Sequence, residues 1–332
     1  MDRSSPLLPF LRALPAVPPD VRPEILVDEA ERHGLGGVVV DALAAGGVAL
    51  APALATTLDQ RRVARELEHA AHRDVLGKID RAFAGAGLSA VALKGPLLAE
   101  RLYARPAARP SSDVDLLVDE AALDDAVRVL ASVGYAWTDS DEERRYRREH
   151  HHLHLSRARS LPLELHFHAY RGFGAVLPSE PLLARRVAVP GLSALAVLEP
   201  PDELVYLAAH AAAHRFVRIG WLWDIRLLVE RMTEDEIARA VRRARSWGYA
   251  RALACAGDLV ARFVTGRPLG ALGALGAVRG GAVRATVAEP RPALARMATR
   301  FAYTALLCDS PGRAARYAAG AVHGRVRGML SP

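Results

Sequence analysis

Apolar residues recur at spacings of three and four through residues 1–85, behind a proline-rich lead-in that ends at Pro23. The most regular stretch opens at Thr56-Thr57, a capping pair, and runs to Phe83. Val63, Leu67, Ala70, Ala71, Val75, Ile79 and Phe83 fall on one stripe, and Gly85 and Gly87 end it. From Leu88 the period changes. Leu88–Leu93 reads as a short buried strand, followed by Lys94-Gly95-Pro96 and a helix over Leu97–Tyr103, with Pro96 at the first helical position. A loop from Arg105 to Ser112 leads into a second strand, Val114–Val118. Ala121–Ser132 is a helix with Leu123, Val127 and Leu130 inward, and Gly134–Trp137 a third strand. His152–Leu155 and Leu161–His168 are two more extended segments, joined by a turn around Arg159.

Pro200-Pro201 restores the helical period. Asp202 is placed to cap a helix reaching Arg215, and Trp221–Met232, Glu234–Ser246, Arg251–Phe263 and Pro292–Leu307 follow as helices. Gly266–Gly281 is low in complexity and reads as a linker or a short helix pair. The fold class is therefore α/β, a small mixed sheet with N-terminal helices and a mainly α-helical C-terminal half. The divisions fall at 1–85 (N-terminal helices), 86–180 (catalytic core) and 181–332 (helical domain with a basic tail).

Composition narrows this picture. With 51 % apolar and 24 % charged residues in 332, the chain can bury a core, which excludes a disordered or collagen-like reading. Cys255 and Cys308 are too few for a disulfide framework and point to a reducing compartment. The longest uncharged stretch, Ala42–Leu58, is broken by Gly46, Gly47 and Pro52 and does not make a membrane span. An acid at position 2 and prolines at 6 and 9 do not fit a signal peptide, so the expected location is the cytoplasm. The net charge of +7 resides in the tail, where nine arginines from Arg279 onward face only Glu289 and Asp309. An RNA partner is one reading of that tail. However, the arginines follow helical spacing without interleaved aromatics, which does not favour nucleic acid.

The chemistry concentrates in Leu93-Lys-Gly95 and Arg109-Pro-Ser-Ser-Asp113-Val-Asp115. Asp113 and Asp115 lie two apart at the mouth of a strand, so their carboxylates share a face. Such a pair stays ionised most easily around a cation, and hard oxygen donors suit Mg²⁺, with Mn²⁺ the other candidate. The strand–Lys94–Gly95–helix turn offers backbone N–H groups to an anion. Glu164 alternates with Leu163 and Leu165, sharing a face with His166 and His168, and is the candidate third carboxylate and general base. Arg109 and Ser112 are placed to reach phosphate oxygens, with a solvated loop arginine as the other reading of Arg109.

The order Leu-Lys-Gly, Tyr103, Arg109, Asp113-Val-Asp115-Leu-Leu-Val, Gly134-Tyr135 and Glu164-Leu-His166 resembles the uncharacterised nucleotidyltransferase family of the polymerase-β-like superfamily. His210, His214 and Trp221-Leu-Trp223-Asp224 resemble its helical signature, and the likeness spans Leu88 to Glu230. The chain carries Lys-Gly-Pro where many members of the superfamily have Gly-Ser or Gly-Gly. The resemblance implies a nucleotidyltransferase-type sheet, Mg²⁺ on Asp113 and Asp115, and an NTP substrate at the Lys94-Gly95 turn. It implies transfer of a nucleotide to a small-molecule, peptide or RNA acceptor. The alternatives are a nucleotide-binding or scaffolding partner without transfer activity, and a toxin-type enzyme that modifies RNA ends.

Twelve histidines need their own account. His152 and His154 share a strand face and are candidates to line the cleft beside His166, as is the pair His210 and His214, four apart on one helix. A zinc site is disfavoured, because no cysteine is near and the spacing matches no zinc motif. Ala211 stands where a metalloprotease helix needs its glutamate, so His210 and His214 are read as core partners of Asp224 or as cleft residues. Trp221 and Trp223 read as core, and Arg144–Arg148 as a solvated charge run.

Overall fold

A computed structural model describes residues 6–14, 22–138, 140, 147, 150–158, 160–266 and 302–318. Four helices open the chain: α1 (Leu7–Ala13), α2 (Pro23–Arg32), α3 (Gly36–Ala45) and α4 (Pro52–Gly85). The α/β unit follows as β1 (Ala90–Ala92), α5 (Pro96–Leu102), β2 (Val114–Leu117) and α6 (Leu123–Ser132), then β3 (His152–Leu155) and β4 (Leu163–His166). Next come the hairpin β5 (His168–Gly172) and β6 (Ala175–Pro178), α7 (Glu180–Ala184), β7 (Val187–Ala188) and β8 (Leu195–Val197). Helices α8 (Pro200–Ala213), α9 (Ile219–Val229), α10 (Glu234–Trp247) and α11 (Ala250–Val260) complete the regular part. Residues 302–307 and 311–318 are also helical.

The expected mixed sheet is present, six strands in the order β3-β4-β2-β1-β8-β7. β2 runs parallel to β4 and β1 parallel to β8, while β1–β2 and β3–β4 are antiparallel. Strands β7 and β8 follow residue 180, so the sheet draws on the chain either side of that position. Alternation along each strand splits the core in two. Val114, Leu116, Leu163 and Leu165 meet Ile79 and Phe83 of α4 and Leu123 and Leu130 of α6. Val91, Leu93 and Leu117 face the other way, into a larger core that α1–α3 share with α8–α11.

Several elements differ from their sequence expectation. Helix α4 starts at Pro52, and the Thr56 and Thr57 hydroxyls donate to the carbonyls of Pro52 and Ala53 instead of capping. At about 1.5 Å per residue α4 is roughly 50 Å long, far more than the sheet can cover. Ile79 and Phe83 are buried, but Val63 and Leu67 at the other end are 51 % and 68 % exposed. Gly134–Trp137 contributes one bridge, Ala136 to Ser156, and no strand. β4 ends at His166 because the N–H groups of Phe167 and His168 both donate to the His151 carbonyl, turning the chain into the second sheet. Glu199, not Asp202, takes the cap position of α8. Asp202 is buried and holds Arg185 and Arg243 at 3.0 and 2.7 Å. The turn at Arg159, most of Arg144–Arg148, all but Gly266 of the Gly-Ala-Leu stretch, and most of the arginine-rich tail lie outside the described residues.

Candidate active site

Strand register builds the site. Asp115 lies beside Glu164 across β2–β4, and Glu164 beside His154 across β3–β4, so the three form one row. His166 and His152 form the next row on the same face. This register is why strand residues distant in sequence converge. The Asp115 carboxylate is fully buried, with the residue 1 % exposed, whereas that of Asp113 is partly open at the strand mouth.

Lys94 closes the end of β1. Its Nζ lies 3.0 Å from Oδ2 of both Asp113 and Asp115. Burial opposes the charge on Lys94, but Asp115 and Asp113 outweigh it and raise its pKa above the ordinary 10.5. The ammonium therefore stays charged and screens the two carboxylates from each other. Gly95 next to it adopts φ +81°, with its Cα facing the Asp113 carbonyl, and leads directly into α5. Ser112 is exposed, its hydroxyl 3.3 Å from Asp113 Oδ1.

His166 joins the carboxylates. Its Nε2 lies 3.3 Å from Asp115 Oδ1 and 3.4 Å from Glu164 Oε2. Burial works against the imidazolium, yet hydrogen bonding to Asp115 and Glu164 prevails and its pKa is raised. In return His166 overcomes the effect of burial on Glu164 and lowers that carboxyl's pKa. His154 Nδ1 stands 3.8 Å from Glu164 Oε1, and His152 Nε2 lies 3.3 Å from His154 Nε2. His152 is buried, and burial together with the neighbouring imidazoles pushes its pKa down to about 2, so it is neutral. His168, placed by sequence on the Glu164 face, belongs to β5 and stands 3.8 Å from Glu120.

The helical half supplies the opposite wall. His210 of α8 and His214, which caps its C-terminus, lie with ring centroids 4.8 Å apart and tilted planes, and both contact Trp221, at 5.4 and 5.1 Å. Burial, then the Lys94 charge, lowers both pKa values. Burial, then the charges of Asp115, Glu164 and Asp113, raises the pKa of the Tyr206 phenol. Neither histidine takes Asp224, which is occupied. Arg109 donates to it from Nε (2.9 Å) and Nη2 (2.9 Å), and Tyr103 Oη donates to it at 2.6 Å. Arg109 is thus not a solvated loop arginine; its fork is buried against Asp224 of α9. Trp223 is buried, as read from the sequence, and Trp221 is half-buried.

The donor set fits a divalent cation. Ligand atoms of Asp115, Glu164 and His166 all lie within 4.8 Å of one another, and Asp113 adds a carboxylate at the mouth. Two or three carboxylates with one imidazole match the preferences of Mg²⁺ and, better, Mn²⁺. Sequence reasoning found the carboxylates and set His152 beside His166, where the ring centroids are 4.9 Å apart, but missed His151, 5.6 Å from His166. His151 precedes β3 and has no register partner on β4, so strand pattern gives no signal for it. No helix among the described residues is long and apolar enough to cross a membrane.

Comparison with curated proteins gives no match. The sequence profile of the uncharacterised nucleotidyltransferases matches residues 19–265, about three quarters of the chain, and extends the likeness into the N-terminal helices and α11. With Lys94, the aspartate pair and Glu164 gathered on one sheet face inside that span, the chain belongs to the uncharacterised nucleotidyltransferase family.

Proposed function

We propose that this nucleotidyltransferase moves a nucleoside monophosphate from an NTP to an acceptor hydroxyl or phosphate by a two-Mg²⁺ route. The acceptor oxygen bonds to the α-phosphorus, the bond to the β-phosphate bridging oxygen breaks, and pyrophosphate leaves. The observation that carries this reading is Lys94 set between Asp113 and Asp115, with Glu164 beside Asp115 in register.

Asp113, Asp115 and Glu164 would hold the metal ions, which supply charge neutralisation at the phosphates and a lower pKa at the acceptor. Lys94 carries a permanent positive charge to the phosphates, the Gly95 turn gives them backbone access, and Ser112 adds a hydroxyl at the mouth. Glu164, its pKa held down by His166, is ionised at neutral pH and takes the acceptor's proton. His210 and His214 line the helical wall of the cleft. Arg109 acts at one remove, fixing the loop before β2 through Asp224.

The test is calorimetry of each NTP with Mg²⁺ on the wild type and on Asp113→Asn, paired with a pyrophosphate-release assay. Metal-dependent binding that is lost in Asp113→Asn, with pyrophosphate released by the wild type, is the expected result. Full turnover in Asp113→Asn or Asp115→Asn would refute the assignment. Binding without any pyrophosphate release across acceptor classes would favour a nucleotide-binding partner protein.

A further inference from the structure

Behind the carboxylates the same sheet face carries a second donor set, which shares only His166 with the first. His151, just before β3, His152 on β3 and His166 on β4 each offer a ring nitrogen within 4.8 Å of the other two. The rings are close, with centroids 4.6 Å apart for His151–His152 and 4.9 Å for His152–His166. The backbone fixes this gathering. His152 and His166 are register partners, and the His151 carbonyl accepts from Phe167 and His168 where β4 ends. Tyr170 stands edge-on to His151 at 5.2 Å and closes that side.

Three ring nitrogens within 4.8 Å of one another are close enough for a single cation to bridge them. His166 is already oriented for such a role. Its Nε2 faces Asp115 and Glu164, while Nδ1 is buried with no hydrogen-bond partner among the described residues. A histidine that gives one nitrogen to a carboxylate and keeps the other for an ion is the common outer-shell arrangement of metal-ligating imidazoles. An all-imidazole set has little affinity for Mg²⁺, which takes oxygen donors, and suits borderline ions such as Zn²⁺ or Co²⁺.

We infer that His151, His152 and His166 form a binding site for a borderline divalent transition-metal ion, separate from the Asp113–Asp115 magnesium site and joined to it through His166. Spacing along the chain hides this site, because its ligands come from two strands and a strand entrance. The inference does not depend on nucleotide turnover.

Co²⁺ titration of the full chain, stripped of metal and held in excess Mg²⁺, is the test, followed by visible absorption and calorimetry. One Co²⁺ should bind, with a visible ligand-field band that Mg²⁺ does not erase. Asp113→Asn, which disables the proposed nucleotide site and touches none of the three rings, should keep this binding. His151→Gln, at a half-buried position, and His152→Asn should each weaken it by at least about 10–100-fold, the range already lost on removing an outer-shell partner. Circular dichroism checks that each chain is folded. No Co²⁺ binding by the folded wild type, displacement by Mg²⁺, or wild-type affinity in both folded histidine variants would overturn the site. Loss of turnover with retained Co²⁺ binding separates the fate of this site from that of the transferase reading.

Discussion

Arg109 and Asp224 form a buried two-pronged ion pair that fastens the loop entering β2 to helix α9. The loop carries Ser112 and Asp113, so the pair sets where one wall of the site stands. Asp224→Ala would leave the Arg109 guanidinium buried without its partner, and Tyr103 without its acceptor. Urea denaturation should show a loss of about 3–5 kcal/mol, the usual cost of breaking a buried pair from one side. The double variant Arg109→Met with Asp224→Leu should recover part of that loss, because no isolated charge remains.

Lys94 occupies the position between Asp113 and Asp115 where a cation is expected. Removing its charge should therefore have opposite effects on two ligands. In Lys94→Met the unscreened carboxylates should bind Mn²⁺ alone about tenfold more tightly, equivalent to about 1.4 kcal/mol. NTP affinity should fall by a similar factor, since the phosphates lose their fixed positive partner. Parallel Mn²⁺ and NTP titrations read both. A fall in both affinities would mean that Lys94 orders the carboxylates rather than competing for their charge.

The parts of the fold that follow local pattern were legible. Asp113-Val-Asp115 at a strand mouth, Lys94-Gly95 before a helix, and Glu164 alternating with buried leucines all depend on neighbours in sequence. Long-range partners were not legible. Asp224 stands on a different helix from the loop that supplies Arg109, and no local signal links them. β8 is three residues long and lies past the expected core boundary, so only its pairing with β1 reveals it. The α4 stripe failed for a related reason: periodicity shows which positions can be buried, not how far the sheet extends beneath them.

Asp80 illustrates that point, as a carboxylate on the buried side of α4. It accepts hydrogen bonds from the backbone N–H groups of Ser193, Ala194 and Leu195, pinning the start of β8. Burial would raise its pKa, but these donors prevail and lower it from 3.8. A depressed folded pKa contributes stability above the unfolded value and loses it as pH falls through the folded one. Asp80→Asn should thus cost about 2 kcal/mol at pH 7, the scale of a charge-assisted hydrogen bond. The gap between wild type and variant should narrow below pH 3.8. A gap that stays constant from pH 7 to pH 3 would show that shape, not charge, holds β8.

Gly95 offers a test of the phosphate turn that is separate from any charge. Its φ of +81° and ψ of −145° lie where a side chain is strained. Space is not the obstacle, because an added Cβ would meet the Asp113 carbonyl at 3.6 Å, an ordinary contact. The cost of Gly95→Ala is then conformational, about 1–3 kcal/mol, and the chain can relieve it only by turning the peptide between Lys94 and α5. That movement would carry the backbone donors and the Lys94 side chain off their present alignment. Gly87, at φ +68° with open space around it and no part in the site, is the matched control. Both alanine variants should lower the denaturation midpoint. Only Gly95→Ala should also weaken NTP binding, by roughly tenfold or about 1.4 kcal/mol. Equal NTP affinity in the two variants would remove the turn from the binding site and leave Lys94 as its phosphate contact on this side.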